Sequence, residues 1–412
     1  MSAEAHARSM PGISRSSALA LDNADQLAAF RERFVIEDDL IYLDGNSLGR
    51  LPKATLERIT DVVAREWGGR LIRGWGEGWM DLPVTVGDRL AAATLGAAPG
   101  QTIVADSTTV CFYKLCCAAL DLRTGRDEIV TDIDNFPTDR YVLEGICRQR
   151  GLRIVWLECD PHAGPTPEQV AAVVGPRTAL VTFSHVSYRS AHIAEMAEIN
   201  RLAHDAGALV LWDLCHTVGS VPVALDAAQT DLAVGCTYKY LNGGPGAPAF
   251  MYVRSGLLEE LRQPIWGWIG RRERFDMAQG FQPAAGAVSL LSGTPPALAL
   301  SCVEEGVKLV ADAGIERIRQ KGIALTSLAI SLVDERLAAH GVGIGSPRED
   351  ARRGAHVALT HPQARRLATE LREHGVIPDF RAPDVIRLGL SPLTTRFVDV
   401  WDGIETLRKL LA

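Results

Sequence analysis

The chain has 412 residues, of which 47% are hydrophobic and 23% charged, and its formal net charge at pH 7 is -7. This length predicts two or three domains. The nearly balanced charge argues against a nucleic-acid or membrane-surface partner, which would need basic patches, and leaves a small molecule as the expected partner. No apolar run reaches about 18 residues, so the sequence predicts no transmembrane helix.

Cysteine usage and the N-terminus bear on where the protein works. The eight cysteines form no paired C-x-x-C metal pattern, and most lie in apolar runs. We therefore expect buried, reduced thiols, no metal site and a cytoplasmic location. About the first 15 residues are rich in Ser and Ala without an apolar signal core, which predicts a loose terminus.

From about Gln101 to Phe250, short β-rich runs alternate with helical patterns. Strands are predicted at Gln101–Asp106, Glu128–Thr131, Arg153–Glu158, Thr178–Phe183 and Ala208–Trp212, and helices at Ser107–Leu120, Arg140–Arg150, Thr166–Val174 and Ala194–Ala206. Strands that are apolar throughout and separated by helices indicate a mainly parallel sheet covered on both faces. The expected fold class is α/β.

After Pro295 the pattern changes to a smaller α+β unit. Two long helices are predicted at about Pro296–Ala313 and Ile315–His340; beyond them we expect a strand at His356–Thr360, a helix at Pro362–His374, β-like runs near Val376 and at Val385–Gly389, and a last helix near Thr395–Leu411. We divide the chain into a segment 1–55 that contributes to the small domain, a large domain 56–295 and a small C-terminal domain 296–412.

Two residues near predicted strand ends carry chemistry. Asp213 follows a buried strand directly, at the sheet edge where ligands bind in open α/β folds, although a helix-capping acid is an alternative. Lys239 lies in an apolar, aromatic run beside the Gly-rich segment Leu241–Gly246. A buried amine is more easily uncharged, the form that makes a Schiff base, whereas the alternative is a lysine that extends its stem to water.

Two loops after other strands add weaker signals. Ser107, Thr108 and Thr109 open a helix, where free N–H groups and the helix dipole favour a phosphate; N-capping alone explains one hydroxyl. In the segment 134–139, Phe136 is suited to stack on a flat ring and Asp139 to bond its polar edge, but a turn that contains Pro137 explains the segment equally well.

Together these features resemble a known family. Asp213-x-x-His216 followed by Lys239, after a hydroxyl-rich helix start, resembles fold-type-I pyridoxal-phosphate enzymes. From about residue 40 to the C-terminus the resemblance is to kynureninase, and a long, specific Lys-containing block is its centre. The matching stretches are Gly45–Gly49, Phe136–Asp139, Ser184–Ser190, Cys236–Gly246, Gly267-Trp268, Gly293–Pro296 and Val385–Leu393.

The resemblance implies a fold-type-I large domain that binds pyridoxal 5'-phosphate. Lys239 would form the Schiff base and move the α-proton, Asp213 would pair with the pyridine nitrogen, and Tyr238 would relay protons. The other implied cofactor contacts are Thr108, Thr109, Phe136, Asp139, Ser184, His216, Trp268 and Thr294. In this family contacts cross a dimer interface, so a homodimer is expected in which Trp268 and Thr294 serve the neighbouring subunit.

Substrate contacts are implied as well. Arg387 matches the position that holds the α-carboxylate, a task that suits the planar guanidinium, although the residues alone also allow a surface arginine. Asn46, Trp75 and Gly293 complete the implied set. An aromatic residue at Trp75 together with Gly293 and Thr294 resembles bacterial members that prefer kynurenine over its 3-hydroxy form, whereas core packing is the alternative role for Trp75.

The implied reaction is hydrolysis of L-kynurenine, or of 3-hydroxykynurenine, to anthranilate or 3-hydroxyanthranilate and L-alanine. The sequence leaves three pathways open: tryptophan catabolism, NAD biosynthesis or synthesis of a secondary metabolite. A class V aminotransferase acting on an aryl amino acid is an alternative because it shares the early steps, and a catalytically silent scaffold of the same fold is another. A cysteine desulfurase is disfavoured, since no cysteine follows Cys302.

Overall fold

The computed structural model describes residues 12–37 and 39–412, so the predicted loose terminus lies largely outside the described residues. The strands are β1 (Ile41–Tyr42), β2 (Thr102–Ala105), β3 (Glu128–Asp132), β4 (Arg153–Leu157), β5 (Thr178–Ser184), β6 (Leu209–Asp213), β7 (Leu232–Gly235), β8 (Ala249–Val253), β9 (Gly343–Ile344), β10 (His356–Thr360), β11 (Val376–Ile377), β12 (Asp379–Arg381) and β13 (Val385–Gly389). The α-helices are α1 (Arg15–Asn23), α2 (Lys53–Asp61), α3 (Gly68–Arg70), α4 (Leu82–Leu90), α5 (Thr108–Leu122), α6 (Pro137–Arg150), α7 (Pro167–Val173), α8 (Met196–Asp205), α9 (Ser255–Leu258), α10 (Ala297–Ala313), α11 (Ile315–Arg336), α12 (Ala364–Glu373) and α13 (Phe397–Leu411).

A seven-stranded sheet forms the centre of the large unit, with strand order β2-β8-β7-β6-β5-β3-β4. All neighbouring pairs from β7 to β4 are parallel, and β8 runs antiparallel to both β7 and β2. The predicted α/β class with a mainly parallel sheet is therefore confirmed. The sequence pattern did not separate β7 and β8, because both are short apolar runs whose periodicity alone does not distinguish a strand from other buried backbone.

The order of the strands creates a crevice at one edge of the sheet. From β3 the chain moves outward to β4 and then returns to β5 on the other side of β3. At such a switch point the loops after neighbouring strands diverge, and ligands bind outside the carboxyl ends of the strands. The segments after β2, β3, β5, β6 and β7 all begin at this edge.

Apolar side chains pack on both faces of the sheet. One core includes Trp212 and Phe250 with residues of α10, and the opposite core includes the buried face of α5. A third core joins α11 and α13 to the four-stranded sheet β12-β13-β10-β9.

The N-terminal segment reaches this smaller unit through parallel pairing of β1 with β11, whereas α10 packs against α2 and α4. The domain limits themselves stay a prediction. In the described part of the chain, no helix is long and apolar enough to cross a membrane.

Gly49 marks a close contact between the N-terminal segment and the loop that carries Lys239. Its N–H donates to the Tyr238 carbonyl at 2.8 Å, and a Cβ added to it would lie 2.3 Å from the Lys239 carbonyl oxygen. We expect Gly49→Ala to lower the free energy of unfolding by about 1–3 kcal/mol, because backbone must shift to admit the methyl group. Gly69→Ala is the matched control, since a Cβ there meets nothing within 4 Å. Urea unfolding of both variants measures the effect, and equal stabilities would contradict the contact.

Candidate active site

A cavity of about 360 Å³ opens at the crevice of the large sheet. Its wall brings together the loops that follow β2, β3, β5, β6 and β7, as parallel topology requires. The lining residues are Ser107, Thr108, Thr109, Phe136, Thr138, Asp139, Tyr188, Asp213, Cys215, His216, Tyr238, Lys239, Gly246 and Ala247. Eight residues singled out from the sequence as cofactor contacts are therefore neighbours here: Thr108, Thr109, Phe136, Asp139, Asp213, His216, Tyr238 and Lys239.

Lys239 lines this cavity and is itself buried. The turn after β7 holds it in place, because the Asn242 N–H donates to the Lys239 carbonyl at 2.9 Å and Asn242 itself has a left-handed φ of 56°. The Lys239 Nζ is 2.8 Å from His216 Nε2. Burial, and then the positive charge of Lys239, lowers the pKa of His216 well below its usual value. The imidazole is thus neutral and accepts a hydrogen bond from the lysine amine.

Asp213, the last residue of β6, is held rigidly behind the lysine. The Cys215 N–H donates to its Oδ1 at 2.8 Å. The Ser184 hydroxyl lies 3.4 Å from Asp213 Oδ2 and donates at 2.8 Å to Asn135 Oδ1. Asn135 bridges the loops on the two sides of the switch point, and sequence reasoning missed it because an Asn before Phe-Pro is an ordinary turn residue. Ser184 therefore lies beside the carboxylate and does not form the cavity wall.

Phe136 and Asp139 also line the cavity. The Phe136 ring packs roughly perpendicular to the Tyr188 ring, with centroids 5.4 Å apart, and the residue is 37% exposed. Asp139 is buried, and its Oδ2 has no hydrogen-bond partner within the described residues. Burial, followed by the charge of Asp213, raises the pKa of Asp139 well above its usual value. A neutral Asp139 can donate a hydrogen bond to a polar ring substituent.

The residues of this cavity fit a flat aromatic ring that carries a phosphate. Ser107 caps α5, where its Oγ accepts from the Val110 N–H at 3.4 Å, and the next hydroxyls belong to Thr108 and Thr109. The helix start therefore offers N–H groups and hydroxyls to an anion. Lys239, Asp213 and the orphaned oxygen of Asp139 supply an amine, an anion and a donor around the ring.

Arg387 lies just behind the cavity wall, and its alternative assignment as a surface arginine is wrong. It is 1% exposed, and its guanidinium donates to Asp379, to the Tyr188 carbonyl and, at 3.3 Å, to Ser47 Oγ. Burial alone would raise the pKa of Asp379, but the charges of Arg387 and Arg381 hold it below its usual value. The Nε of Arg387 has no partner within the described residues, and neither has the side-chain amide of buried Asn46.

Besides Ser184, Asn46 and Arg387, four further residues predicted to contact cofactor or substrate lie outside the wall of this cavity. Trp75 packs edge-on against Trp79, 5.2 Å between centroids, and both line a separate apolar cavity of about 400 Å³ with Trp67 and residues 296–299. Trp268 follows Gly267, which packs tightly on the Ser292 carbonyl. Gly293 and Thr294 are exposed just beyond that contact. Trp268, Gly293 and Thr294 are thus exposed, whereas Trp75 is half-buried in its separate apolar cavity.

Asp132, at the end of β3, gives the fold a pH dependence. Burial, and then the charge of Asp134, raises its pKa from 3.8 to about 7. Because the folded-state pKa is raised, Asp132 favours folding most at low pH, and this contribution is lost as the pH rises through about 7. We expect Asp132→Asn to gain stability relative to the parent by about 1.4 kcal/mol per pH unit between pH 5 and 7. Urea unfolding at both pH values checks this; a difference that does not change with pH would contradict it.

Two family models and a set of solved structures match the chain. The model of the kynureninase C-terminal domain matches residues 318–407, and that of the DegT/DnrJ/EryC1/StrS aminotransferase family matches residues 97–224. Among solved structures, an apo cysteine desulfurase from Thermococcus onnurineus superposes with a TM-score of 0.82 at 17% identity, covering 93% of this chain and 97% of that one. A mutant of C-DES, with glycine covalently linked to the PLP cofactor, has a TM-score of 0.79 at 21% identity, covering 92% and 98%. At these identities the likeness shows the fold alone.

Curated relatives are more similar in sequence. Kynureninases from Pseudomonas fluorescens and from Burkholderia pseudomallei (strain 1106a) are each 41% identical over 406 residues, covering 96% of this chain and 95% of the relative. A kynureninase from Burkholderia mallei (strain SAVP1) is 40% identical with the same coverage. The match therefore extends over nearly the full length of both chains. The chain belongs to the kynureninase family.

Proposed function

We propose that the protein is a pyridoxal-phosphate-dependent hydrolase that cleaves L-kynurenine to anthranilate and L-alanine, with Lys239 at its centre. The observation that carries this proposal is the convergence of Lys239, His216 and Asp213 in one cavity, with the unpartnered Nε of Arg387 behind its wall. Family membership supplies the reaction, and the cavity supplies the groups that it needs. The aminotransferase and the silent scaffold are not favoured by these findings.

Pyridoxal 5'-phosphate, when bound, supplies an electron sink for the substrate's α-carbon. The phosphate end would lie at the start of α5, against Ser107, Thr108 and Thr109. Phe136 would stack on the ring, and Asp213 would hold the ring nitrogen protonated. The Cys215 N–H keeps that carboxylate from rotating, which is the usual role of a group behind a cofactor contact.

Proton movement falls to Lys239 and its neighbours. The Lys239 amine takes the α-proton from the substrate, and neutral His216 accepts a hydrogen bond that orients the amine. Burial raises the pKa of Tyr238, so its phenol stays protonated at neutral pH. The protonated phenol of Tyr238 can donate a hydrogen bond to the substrate while Lys239 accepts the α-proton, so the two neighbours would serve opposite steps.

The substrate's carboxylate is held from the side of the small unit. Arg387 keeps its orientation through Asp379 and the Tyr188 carbonyl, which leaves Nε as the free donor. Asn46 packs below Gly389 at the end of the same strand, and its amide supplies a second donor. Two donors at a fixed separation favour an α-carboxylate over a smaller anion.

A homodimer is part of the proposal. Trp268, Gly293 and Thr294 lie outside the cavity wall of their own chain, and large exposed apolar side chains, Trp266, Phe275 and Met277, flank them. A patch of this kind typically marks a protein interface. We propose that these residues reach the cavity of the partner subunit. The eight free cysteines are consistent with work in the cytoplasm.

The ring substituent of the substrate is the finer part of the proposal. Trp75 presents a largely apolar ring and Gly293 no side chain, and with Thr294 they resemble bacterial members that prefer kynurenine, so we propose that kynurenine is preferred over 3-hydroxykynurenine.

Product analysis tests the reaction type. With kynurenine and pyridoxal phosphate we expect alanine and anthranilate in equal amounts. Anthranilate is measured by its fluorescence and alanine by amino-acid analysis. A keto acid, with the amino group left on the cofactor, would instead identify an aminotransferase. A parallel assay with 3-hydroxykynurenine measures the preference.

A further inference from the structure

Lys114 is a fully buried cation that the proposed mechanism does not use. It lies on α5, six residues after Thr108, and its side chain is 0% exposed. Its Nζ donates to Asp106 Oδ2 at 2.7 Å and to the Leu290 carbonyl at 3.0 Å. The Asp106 side chain is 31% exposed, so only the cation of this pair is buried, and such a pair is weak evidence for stability because apolar side chains of similar size often stabilise as much.

The partner of Lys114 stands at a special backbone position. Asp106 has a left-handed φ of 52° and comes directly before Ser107, Thr108 and Thr109. Its carbonyl accepts the Ala249 N–H at 2.8 Å, so the residue is fixed at both its backbone and its side chain. The backbone of Asp106 therefore sets the direction in which α5 begins, and Lys114 holds the Asp106 side chain.

The charges of Asp106 and Lys114 bear on phosphate binding at the start of α5. The Asp106 carboxylate lies one residue before the hydroxyls that face the cavity, where an uncompensated negative charge would repel an incoming dianion. The Lys114 ammonium compensates it from the protein side, without exposing a cation to the cavity.

We propose that Lys114 is a positioning residue for the cofactor phosphate, acting through Asp106. This inference rests on the proposed binding of pyridoxal phosphate at the start of α5. Lys114 holds the left-handed turn that orients the N–H groups of the helix start, and it cancels the charge of Asp106 beside them. Through Leu290 it also ties this turn to the segment that leads to Gly293 and Thr294.

Equilibrium binding of two ligands tests the proposal. Full-length protein freed of cofactor is titrated with pyridoxal phosphate and with pyridoxal, which lacks the phosphate. The affinity for pyridoxal phosphate divided by the affinity for pyridoxal is then compared between variants. We expect Lys114→Met to lower this ratio by about tenfold or more, with pyridoxal affinity changed less than about threefold. The double variant Lys114→Met/Asp106→Asn should recover most of the ratio, because Asn tolerates the left-handed turn and carries no charge.

Matched variants distinguish an effect of charge on phosphate binding from a general loss of folding. Lys321→Met removes another buried lysine, paired with Asp25 at 2.6 Å and far from α5 in the chain, and should leave the ratio unchanged. Asp106→Asn alone should raise the ratio, and this holds as a test even if Lys114→Met does not fold. Three results would overturn the proposal. Lys114→Met could weaken the binding of both ligands equally, the double variant could keep the low ratio of Lys114→Met, or Asp106→Asn could leave the ratio at the parent value. If the parent protein itself shows no preference for the phosphate form, the proposed cofactor site fails instead.

Discussion

Lys239→Ala is expected to lower the rate of kynurenine cleavage by at least about 10⁴-fold, because one substitution removes both the Schiff-base amine and the base for the α-proton. Anthranilate fluorescence measures the loss. The visible absorption of the lysine-bound cofactor should disappear in the same variant, since the cavity wall described above contains no second lysine.

A lysine elsewhere provides the control. Lys308 is on the outer face of α10 and forms an ion pair with Glu305 at 2.7 Å. Lys308→Ala should keep both the absorption and the turnover of the parent. If Lys239→Ala retained a tenth or more of the parent activity, the assignment of Lys239 would be wrong.

Arg387→Lys is expected to lower kcat/KM for kynurenine by about 10²-fold, mainly through a higher KM. In the parent, Asp379 and the Tyr188 carbonyl occupy the terminal nitrogens of Arg387, and Nε is left for the substrate carboxylate. Lysine keeps the charge but has no forked group, so it cannot bond Asp379 and the substrate in the same way. Steady-state kinetics with kynurenine measure the change. A loss confined to kcat would indicate that Arg387 acts on the chemical step and not on substrate binding.

The buried pair of Arg387 with Asp379 predicts a stability effect as well. Among the described residues, Arg387→Leu leaves the Asp379 carboxylate with only the half-exposed Arg381 as an ion-pair partner, at 2.9 Å, and should cost about 3–5 kcal/mol of folding free energy. Adding Asp379→Asn should restore part of that loss. Equal stabilities of the single and double variants, measured by urea unfolding, would contradict the pairing.

The sequence predicted most of what short-range patterns control. Apolar runs with turn residues between them located β2 to β6, and the position of Asp213 directly after a strand placed it correctly at the sheet edge. Lys239 and the hydroxyls of α5 needed the topology to become neighbours, because β2 and β7 are far apart in sequence and share an edge only through β8. The resemblance supplied that juxtaposition before the structure did.

Other features depend on contacts that no local pattern shows. Asn135 orients Ser184 from 49 residues away, and Tyr188 joins Phe136 to Arg387 through its ring and its carbonyl. Lys114 is, in the sequence, a polar interruption in an apolar helix, and its role follows from the left-handed turn at Asp106. Trp75, Trp268 and Thr294 lie outside the cavity wall of their own chain, and this placement depends on tertiary packing that sequence periodicity does not encode.

Cleavage of kynurenine in water enriched in ¹⁸O tests the central claim most directly. Hydrolysis adds water to the side-chain ketone, so its oxygen enters the carboxylate of anthranilate, while the carboxylate of alanine keeps its original oxygens. We predict labelled anthranilate and unlabelled alanine in equal amounts, formed by the parent protein and not by Lys239→Ala. The absence of anthranilate, or a keto acid as the product, would contradict the account.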